Sequence, residues 1–112
     1  MMLKPPMDLA TFEAKAGQVA DTLKAIGNAR RLMLLCKLVE HGEVTVRDLA
    51  SDVGLSQSAC SQHLAKLRAE GVVGTRRDGQ TIFYRLTDPA AARVIDTLCD
   101  IYRGQSPPEP AV

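Results

Sequence analysis

Three groups of side chains in this sequence have the types and spacing to do chemistry. The first is a run of hydrogen-bonding residues, Gln57, Ser58, Ser61, Gln62 and His63, with Lys66 one turn further on. The second is a pair of adjacent arginines, Arg76 and Arg77, just before Asp78-Gly79. The third is the set of cysteines, Cys36, Cys60 and Cys99. Amide and hydroxyl side chains pair with base edges in the major groove of DNA. Guanidinium groups suit phosphate oxygens or the minor groove. Thiols pack as small hydrophobes, bind soft metals or react with oxidants. His41 and His63 are the two histidines, and neither has a triad or a metal partner evident in the sequence, so an enzyme reading has little support.

The first group needs a helix to display it. Ser56 is a good N-cap for a helix that runs to Ala69. At about 100° per residue, Cys60, Leu64 and Leu67 form one stripe. Ser58, Ser61, Gln62, Ala65, Lys66 and Ala69 fall opposite them, and His63 sits near the edge of the inner stripe. The outer face has no bulky apolar side chain, so it can approach a groove floor. An ordinary solvated face would carry more Glu–Lys pairing. The free N–H groups at the helix start also favour phosphate.

The second group needs a hairpin. Val72-Val73 and Thr81-Ile82-Phe83-Tyr84 have strand composition, and Asp78-Gly79 is a two-residue turn signal. Arg76 and Arg77 then stand at the tip, with Arg85 on the return strand. Charged edges also guard strands against aggregation, so the arginines alone do not prove a DNA contact.

The remaining elements must hold these two in place. Leu9, Phe12, Ala16, Val19, Leu23 and Ile26 recur at steps of 3 and 4, which predicts a first helix closed by Gly27. Asn28 caps a second helix over 29–41, with Leu32, Leu35, Cys36 and Val39 inward and Gly42 at its end. A short extended stretch near Glu43-Val44 leads to a third helix over about 45–53, holding Val46, Leu49, Ala50 and Val53. Gly54 turns the chain into the Ser/Gln helix, which makes a helix-turn-helix. After the hairpin, Thr87-Asp88-Pro89 opens a fifth helix with Ala91, Val94, Ile95, Leu98, Ile101 and Tyr102 on its apolar face, stopped by Gly104. The fold expected is mainly α with a β-hairpin wing: a winged helix-turn-helix over residues 8–104. Residues 1–7 should be loose and 105–112 a disordered tail.

Bulk properties agree with that reading. The chain has 112 residues, enough for one domain, and a net charge of only +1. Between Lys66 and Arg85, five basic side chains face only Glu70 and Asp78, so the positive charge is local. Such a pattern suits site-selective DNA binding over generic polycation behaviour. Two Phe, two Tyr and no Trp argue against base-stacking modes of single-strand binding. No apolar run approaches the ~20 residues that span a bilayer, and no signal region opens the chain, so a cytoplasmic location is expected. The first and fifth helices carry more apolar surface than one small core can use. They read as the interface of a two-fold homodimer, which would set two recognition helices in successive major grooves.

The strings Asn28–Leu35, Val46-Arg-Asp-Leu-Ala, Leu55–Val73 and Thr75–Leu86 resemble the ArsR/SmtB family of dimeric winged-helix repressors. The resemblance implies a bacterial regulator that binds palindromic operators on double-stranded DNA and is released by an effector or by oxidation. It implies that Gln57, Ser58, Ser61, Gln62 and His63 face the operator and that the wing arginines meet backbone or minor groove. Metal-sensing members place a Cys-x-Cys pair on the third helix or Asp and His ligands on the fifth. Thr45 and Arg47 stand at the third-helix positions and the fifth helix has no histidine, so neither metal nor another cofactor is expected. The chain most resembles the sulfide- and redox-responsive branch, in which a cysteine on the second helix faces one on the fifth. Cys36 matches the first of these. Arg103 stands at the usual place of the second, and Cys99 lies one turn earlier, about 6 Å along the axis. That offset favours a bridge through inserted sulfur atoms over a direct disulfide, whose Cα atoms must lie within about 7 Å.

Three functions follow in order. The first is a dimeric repressor released from DNA by an oxidant or reactive sulfur acting on Cys36 and Cys99. The second is a repressor of the same fold with structural cysteines, and the third is a winged-helix protein-interaction module. Cys60, on the inner stripe of its helix, reads as core.

Overall fold

Each helix starts where a short polar side chain accepts a backbone N–H that the first turn leaves unpaired. In a computed structural model describing residues 6–105, Asp8 accepts from Thr11 N at 3.3 Å and opens α1 (Leu9–Ile26). Asn28 Oδ1 accepts from the N–H groups of Arg30 and Arg31 and opens α2 (Ala29–His41). Thr45 caps α3 (Val46–Val53), and Ser56 caps α4 (Gln57–Ala69). Asp88, with Pro89 in the first turn, opens α5 (Pro89–Tyr102). The expected limits therefore hold nearly to the residue. The loose start and the tail expected from sequence fall largely on residues 1–5 and 106–112, outside the described residues.

The hairpin is one residue out of step with the sequence reading. Strands β2 (Val73–Asp78) and β3 (Thr81–Leu86) pair antiparallel from Val73↔Leu86 to Asp78↔Thr81. Asp78 is thus the last strand residue, and the two-residue turn is Gly79-Gln80. Gly79 has φ 62 and no non-glycine residue among the described residues has positive φ, the pattern of a turn that needs glycine only at its first central position. A turn at Asp78-Gly79 would shift the pairing by two residues and set Val73 opposite Tyr84, whereas the ladder pairs it with Leu86. The short stretch before α3 is also more than a link. It forms β1 (Val44–Thr45), which pairs with β3 through Val44↔Tyr84 and Thr45↔Phe83 and gives a three-stranded sheet in the order β1-β3-β2.

The core lies between α2, α3, α4 and the base of the sheet. Leu49, Ala50 and Val53 of α3 meet Cys60, Leu64 and Leu67 of α4, all of them buried. Sequence periodicity points α2 inward through Leu32, Leu35, Cys36 and Val39. In the fold Leu34, Leu35 and Leu38 are its buried residues, and Leu32, Cys36 and Val39 pack at the margin. The cause is that α2 is covered on more than one side, by α3, by the sheet and by α5. A single stripe therefore understates its buried arc.

Helix α1 differs from the rest. Its apolar stripe is present, but only Ala25 and Ile26 are buried. Leu9 is 72% exposed and Phe12 56%, with Val19 and Leu23 also open. On α5, Ala91 and Ile95 enter the core while Leu98, Ile101 and Tyr102 face outward. Arg31 ties the end of α1 to α2 by donating from Nη1 to Ala25 O at 3.0 Å. Among the described residues, no helix is long and apolar enough to cross a membrane.

Candidate nucleic-acid interface and thiol pair

The turn between α3 and α4 is set by Gly54, whose φ of 70 lies in the left-handed region. Leu55 N then donates to Ala50 O at 2.9 Å, and Ser56 starts α4 at once. The inner stripe of α4 packs Cys60, Leu64 and Leu67 against α3, which fixes the rotation of the helix about its axis. Gln57, Ser58, Ser61, Gln62 and Lys66 are all exposed as a result, and His63 is half-buried at the edge. The structure thus brings the first group of sequence candidates to one open face. Ser56 takes the N–H of Ala59, so the amides of Gln57 and Ser58 remain at the free start of the helix.

The two wing arginines part company. Neighbouring residues of a strand point to opposite faces of a sheet. Arg76 lies opposite Phe83 in the register, its guanidinium 4.8 Å from the centre of that ring. Its Nε donates to Glu43 Oε2 at 2.9 Å, and its Nη2 stands 2.7 Å from the same oxygen. This contact holds the Glu43 carboxyl below the usual carboxylate range and raises the guanidinium of Arg76. Arg77, paired in register with Ile82, is exposed and has no ion-pair partner among the described residues. Sequence reasoning missed Glu43 altogether. Its only signal was an acidic residue flanking a two-residue strand, far from the wing in sequence.

The thiols are closer than the spacing along α5 suggests. Cys99 Sγ donates to Cys36 Sγ at 2.8 Å, with both residues half-buried and both thiols free. The expected one-turn offset does not separate them, because α5 ends at Tyr102. Arg103 is already past the helix, and its guanidinium pairs with Asp100 at 3.0 Å. The helix crosses α2 one turn earlier, at Cys99. A direct S–S bond, about 2.05 Å long, needs only a small further approach of the sulfur atoms. Burial pushes the Cys36 thiol up to about 12, helped by the contact with Cys99 and by the charge of Glu40. Cys60 stays apart in the core, and burial raises its thiol too.

Residues 28–75 match the family model described as "Bacterial regulatory protein, arsR family". The chain is 43% identical over 97 residues to the transcriptional activator HlyU of Vibrio cholerae, covering 87% of this chain and 89% of that one. It is 42% identical over 102 residues to the biofilm growth-associated repressor of Xylella fastidiosa, covering 91% and 89%. The solved structure of reduced HlyU from Vibrio cholerae superposes with a TM-score of 0.78 at 42% identity, over 85% of this chain and 99% of that one. The helix-turn-helix, its wing and these likenesses place the chain in the arsR family of bacterial DNA-binding transcription regulators.

Proposed function

We propose that this arsR-family regulator acts as a homodimeric repressor. In this reading it holds a palindromic operator through the outer face of α4 and the wing, and oxidation or reactive sulfur at Cys36 and Cys99 releases it. The observation that carries the DNA reading is the open face of Gln57, Ser58, Ser61 and Gln62 on a helix whose rotation the buried Cys60–Leu64–Leu67 stripe fixes. Bases are read by the amides and hydroxyls, and Arg77 and Lys66 neutralise phosphate. The exposed apolar surfaces of α1 and α5 supply the dimer contact. Binding to chromosomal DNA would put the protein in the cytoplasm.

The thiol switch rests on the sulfur contact between α2 and α5. Oxidation joins Cys36 Sγ to Cys99 Sγ, and two protons and two electrons pass to the oxidant. With an inorganic polysulfide, one thiolate attacks an inner sulfur atom, an S–S bond of the chain breaks, and the protein keeps one part as a persulfide or longer chain while the rest leaves as hydrosulfide or a shorter polysulfide. The second thiol then closes the bridge and expels hydrosulfide or a shorter polysulfide. Tying α2 to α5 shifts the spacing of the two recognition helices and lowers operator affinity.

A second reading has its own observation. Cys36 held up to about 12 is a poor nucleophile at neutral pH, which fits a packed, structural pair. The test is a mobility shift on DNA from upstream of the protein's own gene, with reduced protein and with protein treated with diamide or polysulfide. Release by either reagent, lost in Cys36→Ser and Cys99→Ser, supports the switch. An unchanged shift, with no bridged Cys36–Cys99 species by mass spectrometry, leaves a regulator with structural cysteines.

A further inference from the structure

Arg76 reaches across the whole sheet. It starts on the edge strand β2, passes over Phe83 of β3 and ends on Glu43, the residue just before β1. The rung Thr45–Phe83–Arg76 lies on one face, and Glu43 joins that face by alternation. The guanidinium donates from Nε to one carboxylate oxygen, holds Nη2 within ion-pair distance of the same oxygen, and stands over an aromatic ring. Arginine is suited to that combined role, whereas lysine has neither the fork nor the plane.

The anchor point matters as much as the contact. Glu43 stands two residues before Thr45, and Thr45 is the N-cap of α3. A link from Arg76 to Glu43 therefore fixes the wing to the start of the helix-turn-helix. β1 makes a similar link with two residues paired to β3, while β2 meets α4 where the chain leaves that helix, with Val72 N donating to Leu67 O at 2.9 Å. We infer that Glu43, Phe83 and Arg76 form a strap that sets the angle between the wing and the recognition helix. Arg76 is then a positioning residue whose charge is already answered by Glu43. Arg77, on the opposite face, is the wing cation that meets phosphate. This assignment rests on the DNA-binding reading above, and it reverses the expectation that both arginines contact DNA.

The test uses full-length protein and a duplex that it selects from a randomised pool. Affinity is measured by fluorescence anisotropy across a series of salt concentrations. For a strap, Arg76→Ala weakens binding about three- to tenfold and leaves the slope of log K against log salt unchanged. Arg76→Lys keeps the charge yet binds as weakly as Arg76→Ala. Arg77→Ala weakens binding and flattens the slope by about one unit, and Arg77→Lys restores it. Glu43→Gln weakens binding as Arg76→Ala does, and the double variant is no worse than either single one. Circular dichroism melts confirm that each variant is folded before it is compared. A phosphate-contacting Arg76 gives the opposite pattern: Arg76→Lys binds like the unchanged protein, Arg76→Ala flattens the slope, and Glu43→Gln binds more tightly. That pattern overturns the strap, as does unaltered binding by Arg76→Ala. If the pool yields no preferred duplex, or Arg77→Ala changes nothing, the DNA reading or its wing assignment fails instead.

Discussion

Cys36 and Cys99 show how a contact decides chemistry that spacing leaves open. Along α5 the second thiol is a turn away from Arg103, yet in space the two sulfur atoms touch at 2.8 Å. The fold raises Cys36 from an ordinary value of 9.0 to about 12, chiefly by burial. Below pH 9 the thiol is protonated in both the folded and the unfolded chain, and its full contribution to stability is present. Between about 9 and 12 the unfolded chain has lost the proton that the folded chain keeps, so stability falls as pH rises. Denaturant unfolding over this alkaline range should show a steeper decline for the unchanged protein than for Cys36→Ser. Parallel declines would refute the assignment. Cys60 titrates in the same sense in both proteins and does not disturb the comparison. On the DNA side, Gln62→Ala should cost roughly 1–3 kcal/mol on the selected duplex and much less on random DNA. Equal losses on both would remove Gln62 from base reading.

At the scale of elements, what is local was legible in the sequence. Asn28, Ser56 and Asp88 start helices, Gly54 turns one helix into the next, and Pro89 fits a first turn, because each effect acts within a few residues. The outer face of α4 could be read for the same reason, since Cys60, Leu64 and Leu67 fix it by helical period alone. What escaped depended on partners distant in the chain. The wing turn lies one residue later because the ladder that pairs Val73 with Leu86 outranks the Asp-Gly preference. The buried arc of α2 widened because α5 returns to cover it. The engagement of Arg76 by Glu43 spans 33 residues and left no periodic trace. One prediction belongs to this scale. Gly79→Ala puts a Cβ at φ 62 in the wing turn and should cost about 1–2 kcal/mol of stability. Chemical denaturation measures it, and a change within error would mean that the turn relaxes to another type.

Over the whole molecule, the most unusual element is α1, a helix of 18 residues that buries only its final turn in the protomer. In the homodimer proposed above, a second copy packed on α1 and α5 would give those apolar side chains a core. Phe12→Asp is nearly harmless to a lone protomer, where the residue is open, but sets an unpaired charge in the shared core. Sedimentation should show the unchanged protein as a dimer at micromolar concentration and this variant as a monomer at least about a hundredfold higher in concentration. A dimeric Phe12→Asp protein would move the interface elsewhere. The half-finished helix has a consequence for control of a gene. If α1 is completed only by its twin, protomer supply enters operator occupancy as a square wherever monomers dominate, so halving synthesis cuts the binding species about fourfold. Dilution by growth would then become a signal in its own right, and a regulator of this build would respond steeply to its own abundance.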